Sequence, residues 1–252
     1  MLSLKYCLPP HADNTLTDNN ILDFLNLQSL DIEDGINKCG VFLQHLHIPA
    51  TVQVSIHCIT REHHNTFGDA WMPVTLFVHA HLNAESPPIQ ALLLKVPDFK
   101  CSSPRSPTFE MVAWHSLAAF PSTSCPAGFV LALIVEAPLY AETDTIDLLM
   151  QVLGTLPLAN VQTAQYELSL GATWNLPNVA AMLHCTPALE SLWVTGTGSV
   201  TIAQALQPQW TADAGAQPTV TLLLPALKTL TFWQVDLGAN IRNPLNFLIF
   251  DF

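Results

Sequence analysis

The sequence predicts an α/β architecture, with one parallel β-sheet along one side of the molecule and a layer of helices along the other. Three observations predict it. Short apolar, strand-like elements recur along the chain with an average spacing of 28.5 residues between positions 2 and 230. Segments of helical periodicity lie between several of them, the alternation that yields parallel strands with helices packed alongside. Hydrophobic residues make up 50% of the 252 positions and charged residues only 11%, against about 25% in soluble domains generally. A chain in which each element buries an apolar face against its neighbours has that composition.

The strand elements are clearest near the C-terminal end. Pro187-Ala188-Leu189-Glu190-Ser191-Leu192-Trp193-Val194 and Pro225-Ala226-Leu227-Lys228-Thr229-Leu230-Thr231-Phe232 repeat one pattern 38 residues apart, and Leu27-Gln28-Ser29-Leu30-Asp31-Ile32 is a looser copy. All are L-x-x-L-x-L elements, the strand signature of leucine-rich repeats. A strand sends alternate side chains to opposite faces, so the second Leu and the final apolar residue enter the core together, while the first Leu plugs the turn before the strand. Weaker copies are Leu2-x-Leu4, Thr51-x-x-Val54-x-Ile56, Ile89-x-x-Leu92-x-Leu94, Phe109-x-x-Val112-x-Trp114, Val130-x-x-Leu133-x-Val135 and Val161-x-x-Ala164-x-Tyr166. The central positions 2, 30, 54, 92, 112, 133, 164, 192 and 230 are spaced by 20 to 38 residues. The expected fold is therefore an irregular leucine-rich-repeat solenoid, a single array over 1–252, with the parallel sheet on its concave side and helices on its convex side. A β-sandwich built on Val52 to Ile59 and Phe129 to Val135 is the competing arrangement.

Helices are expected at 141–156, where acidic residues open the first turn, Ile146, Leu149, Met150 and Leu153 share a face, and Pro157 stops the run. Residues 15–26 and 176–185 have similar periodicity. A membrane span needs roughly 20 consecutive apolar residues. The uncharged stretch from Met111 to Val135 is broken by Pro121, Pro126 and Gly128, so none is expected. The amino terminus lacks the basic flank, apolar core and cleavage site of a signal peptide. Six scattered cysteines (Cys7, Cys39, Cys58, Cys101, Cys125, Cys185) read as buried reduced thiols. A cytoplasmic or nuclear location follows as the expectation. The formal charge of −12, from 8 Lys+Arg against 20 Asp+Glu, disfavours nucleic acid and anionic membrane surfaces as partners.

The repeated P-A-L rungs, the Leu156-Pro157-Leu158-Ala159-Asn160-Val161 lead-in and the stretch from Cys39 to Pro49 resemble the leucine-rich-repeat portion of F-box proteins from mushroom-forming fungi. In that family an amino-terminal F-box binds the Skp adaptor of a cullin-type ubiquitin ligase, and the repeat array recruits the protein to be ubiquitinated. The resemblance implies a non-catalytic substrate-recognition scaffold. Leu8-Pro9-Pro10 matches the opening of an F-box, but the first Trp is Trp71, so its Trp-containing end is missing. The expectation is an array without its F-box or terminal caps, with poor solubility by itself, and contacting Skp only if an F-box lies upstream.

Chemistry-bearing patterns are sparse. His57-Cys58-x4-His63-His64 supplies ligand types that zinc accepts, and a zinc-dependent or hydrolytic enzyme built on it is the alternative function. The plainer reading is a strand end followed by a polar turn. His45-x-His47 and His79-x-His81 read as half-exposed helix or turn residues, Asp31-x-Glu33-Asp34-Gly35 as a polar turn, and Gly196-Thr197-Gly198-Ser199 as the turn after a strand. There is no Gly-x-Ser-x-Gly or His-Glu-x-x-His motif. No catalytic residue, metal or cofactor is expected. With Leu30, Leu192 and Leu230 inward, the residues facing outward on the concave sheet are the candidate partner-binding set: Asp31, Glu33, Ser55, His57, Gln165, Glu167, Ser191, Trp193, Thr229, Thr231 and Trp233. Trp is enriched at interface hot spots.

Overall fold

The computed structural model describes residues 1–8, 21–60, 67–83, 86–97, 109–119, 128–136, 142–169, 175–207, 209–211, 219–233 and 248–251. Along the chain run β1 (Leu2–Lys5), β2 (Leu22–Asp23), β3 (Ser29–Gly35), α1 (Ile36–Gln44), β4 (Leu46–His47), β5 (Gln53–Ile59) and α2 (Phe67–Asn83). The middle comprises β6 (Ala91–Val96), β7 (Phe109–Trp114), β8 (Leu131–Glu136) and α3 (Glu142–Thr155). Then come β9 (Thr163–Leu168), α4 (Leu176–His184), β10 (Ser191–Thr195), α5 (Ser199–Ala205), β11 (Gln209–Thr211), β12 (Thr219–Thr221), β13 (Thr229–Trp233) and β14 (Leu248–Asp251). Ten strands form one open, mostly parallel sheet in the order β1-β3-β5-β8-β7-β6-β9-β10-β13-β14. The nine strand elements read from the sequence are all present in it. Val52 to Ile59 and Phe129 to Val135 contribute β5 and β8 to this same sheet, paired in parallel, rather than to two sheets of a sandwich.

The order departs from a serial array in the centre. After β5 the chain crosses by way of α2 to β6, three places along the sheet, then runs back as an antiparallel meander β6-β7-β8 that closes the gap beside β5. From β8 it crosses by way of α3 to β9, on the far side of β6. β7 is thus antiparallel to its neighbours, and its facing differs from the expectation. Phe109, Met111 and Ala113 enter the main core, while Val112 and Trp114 point the other way. Reversing a strand costs no hydrogen bonds, because antiparallel ladders pair at least as well as parallel ones. The apolar spacing of a strand therefore does not encode its direction.

All five described α-helices lie on one side. Their apolar residues, Cys39 and Leu43 of α1, Trp71 and Val78 of α2, Leu149 and Val152 of α3, Val179 and Leu183 of α4 and Ile202 of α5, join Leu30, Ile32, Val54, Ile56, Leu92, Leu94, Leu133, Ala164, Leu192 and Leu230 in one buried cluster. Each fully buried Val, Leu or Ile among them contributes about 1.5–3 kcal/mol. Helix α3 starts and stops where the periodicity and Pro157 place it, and α4 is capped by Asn175, whose side chain accepts from the Asn178 amide at 3.0 Å. The helix expected over 15–26 is not formed across 21–26, which carry the short strand β2; residues 15–20 fall outside those described. Residues 31–35 are strand rather than turn. Asp34 sits 4% exposed at the end of the Leu30, Ile32 row, accepting the Leu8 and Gly35 amides at 3.1 and 2.8 Å and facing Lys38 Nζ at 3.2 Å.

Among the described cysteines, Cys7, Cys39, Cys58 and Cys185 are free. Cys39 and Cys58 are buried as expected, whereas Cys7 is exposed and Cys185 half-buried. A hydrogen bond with Cys39, together with burial, pushes the Cys58 thiol well above its ordinary value, so it stays protonated and unreactive. Among the described residues no helix is long and apolar enough to cross a membrane.

Candidate functional site

Because the helices occupy one side, the opposite face of the sheet is formed by the alternate strand residues. Two rows of side chains cross it in register. One runs Ser3, Asp31, Ser55 on the β1-β3-β5 flank, then Ala132, Val112, Leu93 in the centre, then Gln165, Trp193, Thr231 on the β9-β10-β13 flank. The next runs Lys5, Glu33, His57, then Ile134, Glu110, Lys95, then Glu167, Thr195, Trp233. The centre of the first row is apolar and buried, a second small core of Ala91, Leu93, Val112, Trp114 and Ala132. It separates the two polar flanks.

On the first flank the predicted residues Asp31, Glu33 and His57 meet three that the sequence reading passed over, Lys5, Tyr6 and Glu136. Lys5 Nζ lies 3.1 Å from Glu33 Oε2 and 3.9 Å from Asp31 Oδ2, and Ser3 donates to Asp31 at 3.0 Å. The Tyr6 hydroxyl donates to Glu33, and that bond, with Lys5 and His57 assisting against burial, holds the Glu33 carboxyl below its ordinary value. The same Glu33 contact raises the Lys5 ammonium. His57 stands between two carboxylates, Nδ1 at 3.9 Å from Glu33 Oε1 and Nε2 at 3.1 Å from Glu136 Oε1. The latter contact lacks aligned hydrogen-bond geometry.

The other flank carries Gln165, Glu167, Ser191, Trp193, Thr229 and Trp233. Gln165 donates to Glu167 at 2.8 Å. Trp193 is 36% and Trp233 52% exposed. Thr231 corrects the expectation: it lies on this face but is only 4% exposed, between its register partners Trp193 and Ile249. Beside Glu167 the sheet opens into a cavity of about 340 Å³ at the carboxyl ends of β6, β9 and β10, lined by Lys95, Glu110, Glu167, Ser169, Thr195 and Gly196. Lys95 Nζ sits 3.8 Å from Glu110 and 3.9 Å from Glu167. Gly196 has φ +89°, and a Cβ there would meet the Leu168 carbonyl oxygen at 2.5 Å. Only glycine fits that turn, and the same carbonyl accepts the Gly198 amide at 3.0 Å.

The alternative His57/Cys58/His63/His64 cluster does not assemble within the described part. His57 faces the helix-free side, and Cys58, one residue on, is fully buried on the helix side. His63 and His64 lie outside the described residues. No group of three or more potential ligands that could hold a metal occurs among the described residues. His47 is exposed and paired with Asp23 at 2.7 Å, and His79 is exposed. His81 departs from the half-exposed expectation. It is 5% exposed, its Nε2 3.1 Å from the Val52 carbonyl, and burial lowers its pKa.

Two of the residues passed over were accessible in principle. Once Leu92 and Leu94 point inward, Lys95 must point outward, and Leu133 and Val135 do the same for Glu136. Glu110 required the facing of β7, which its sequence misrepresents. No family model, curated protein or solved structure matches the chain.

Proposed function

We propose that the protein is a non-catalytic interaction module of the leucine-rich-repeat type whose helix-free sheet face contacts a protein partner. The observation that carries this reading is the exposure of Trp193 and Trp233 on neighbouring strands, beside Gln165 and Glu167, on a face that the described helices leave uncovered. Trp anchors flanked by polar groups are what protein interfaces use. The two serial runs β1-β3-β5 and β9-β10-β13, in which successive elements pair in parallel, support the repeat reading on the flanks. The resemblance to F-box repeat regions supports recruitment of a protein for ubiquitination, with Skp engaged only through an upstream F-box. Free thiols and the acidic charge suit a cytoplasmic or nuclear protein that binds neither nucleic acid nor membranes.

Selection of a displayed random dodecapeptide library on the immobilised protein tests the reading. Enriched sequences that bind the parent chain and are lost by folded Trp193→Ala and Trp233→Ala variants are the expected result. Enrichment unchanged by both substitutions would overturn it.

A further inference from the structure

His81 stands in the last turn of α2, the crossover that carries the chain from β5 past the meander to β6. Its side chain is buried, between the buried Val78 and Leu82 in sequence, and the Phe77 ring stacks on it with centroids 5.9 Å apart. Nε2 lies 3.1 Å from the carbonyl of Val52, one residue before β5. A carbonyl only accepts, so Nε2 carries the hydrogen and Nδ1 the lone pair. Nδ1 is buried with no hydrogen-bond partner among the described residues, and the same holds for both ring nitrogens of the nearby His115, one residue after β7. A second proton on His81 would therefore put a full charge, and an Nδ1–H donor without an acceptor, into a buried site.

The surrounding elements do not answer that charge. β5 presents the Val52 carbonyl, and the β7 side presents His115, which opposes a cation here. The described charged side chains of α1 and α3, which also pack on α2, are Lys38, held by Asp34, and the exposed Asp147; neither acts on the imidazole. On α2 itself, His79 is exposed and turned to the Thr155 carbonyl at 2.7 Å. We propose that the last turn of α2, residues 79–83, is a proton-operated latch, docked beside Val52 while His81 is neutral and lifted off the sheet, baring Leu82, when acidification protonates it. Burial first, and His115 with it, hold the docked imidazole below 6.5 against the Val52 bond. The lifted turn binds the proton more readily, so docking is complete above pH 6.5 and weakens as pH falls through the docked value.

Hydrogen–deuterium exchange of the full chain from pH 8 to 5 tests the latch, because amide protection reports local opening. After correction for the intrinsic pH dependence of exchange, protection of the 79–83 amides is expected to fall by up to about tenfold per pH unit below 6.5, the slope of a single proton. The amides of α4 should keep theirs over the same range. His81→Gln, whose side chain can still donate to the Val52 carbonyl, should abolish the fall. The His81 ring shifts, followed by NMR in the parent chain, should titrate below pH 6.5, a readout that stands even where the variant fails to fold. Protection at 79–83 that ignores pH, an equal fall in α4, a fall that persists in His81→Gln, or a ring titration at or above pH 6.5 would overturn the inference.

Discussion

In β5 and β9 every second residue is buried and those between are half exposed, whereas in β6 four successive residues, Ala91 to Leu94, are all buried. The flanks of the sheet thus present one face to the helices and the other outward, while the centre is apolar on both faces at the level of Leu93, Val112 and Ala132. Strands buried on both sides read as continuous apolar runs rather than alternations, and ALLLKV, FEMVAW and LALIVE do so. The difference teaches where to look for binding. The reversed meander gives the sheet a second small core, and the exposed tryptophans sit on the flank beside it.

The largest expected effect sets two tryptophans of the same face against each other. Trp114→Ala, in the centre and fully buried, should cost about 3–5 kcal/mol, and Trp233→Ala, half exposed on the flank, less than about 0.5 kcal/mol. Urea unfolding measures both; similar losses would erase the distinction between centre and flank. Next are two glycines. Gly196→Ala forces a Cβ into the Leu168 carbonyl at positive φ and should cost about 1–3 kcal/mol. Gly154→Ala in α3, where a Cβ meets nothing within 4 Å, should stabilise by about 0.5–1 kcal/mol.

Smaller still are the acid limbs. Burial, reinforced by nearby His115 and opposed by the Val52 carbonyl bond, holds the His81 imidazole below 6.5. The unfolded chain therefore binds the proton more readily, and the stability present above pH 6.5 is lost as pH falls through the folded value. Glu33, lowered by the Tyr6 bond, contributes stability present above pH 4.5 that is lost as pH falls through its folded value. His81→Gln should flatten the higher limb and Glu33→Gln the lower in urea midpoints measured from pH 7 to 3. A higher limb unchanged in His81→Gln would contradict the burial argument.

Much of the fold was legible because burial leaves a period. Leu30, Leu192 and Leu230 point inward as their spacing requires, and Pro157 ends its helix. The unread parts have physical causes. Helix α2 contains Pro73, which ordinarily breaks a helix, and the Thr75 hydroxyl bonds back to the Trp71 and Met72 carbonyls at 3.2 and 2.9 Å. β7 carries apolar groups on both faces, so Val112 and Trp114 fit the wrong side as well as Met111 and Ala113 fit the right one. Of the candidate site, Asp31, Glu33, His57, Glu167 and the Trp pair followed from strand alternation. That Lys95 joins Glu110 and Glu167 depends on strand order, which short-range pattern does not carry.

The central claim is that the three middle strands run back against the chain, placing β8 rather than β6 beside β5. Paired cysteines read this directly, because a disulfide needs Cα atoms about 4.4–6.8 Å apart. In a Cys7→Ser background, Ser55→Cys with Ala132→Cys, register partners on β5 and β8, should cross-link on mild oxidation. Ser55→Cys with Leu93→Cys, the neighbours of a serial array, should not. Cross-linking of the second pair and not the first would contradict the account.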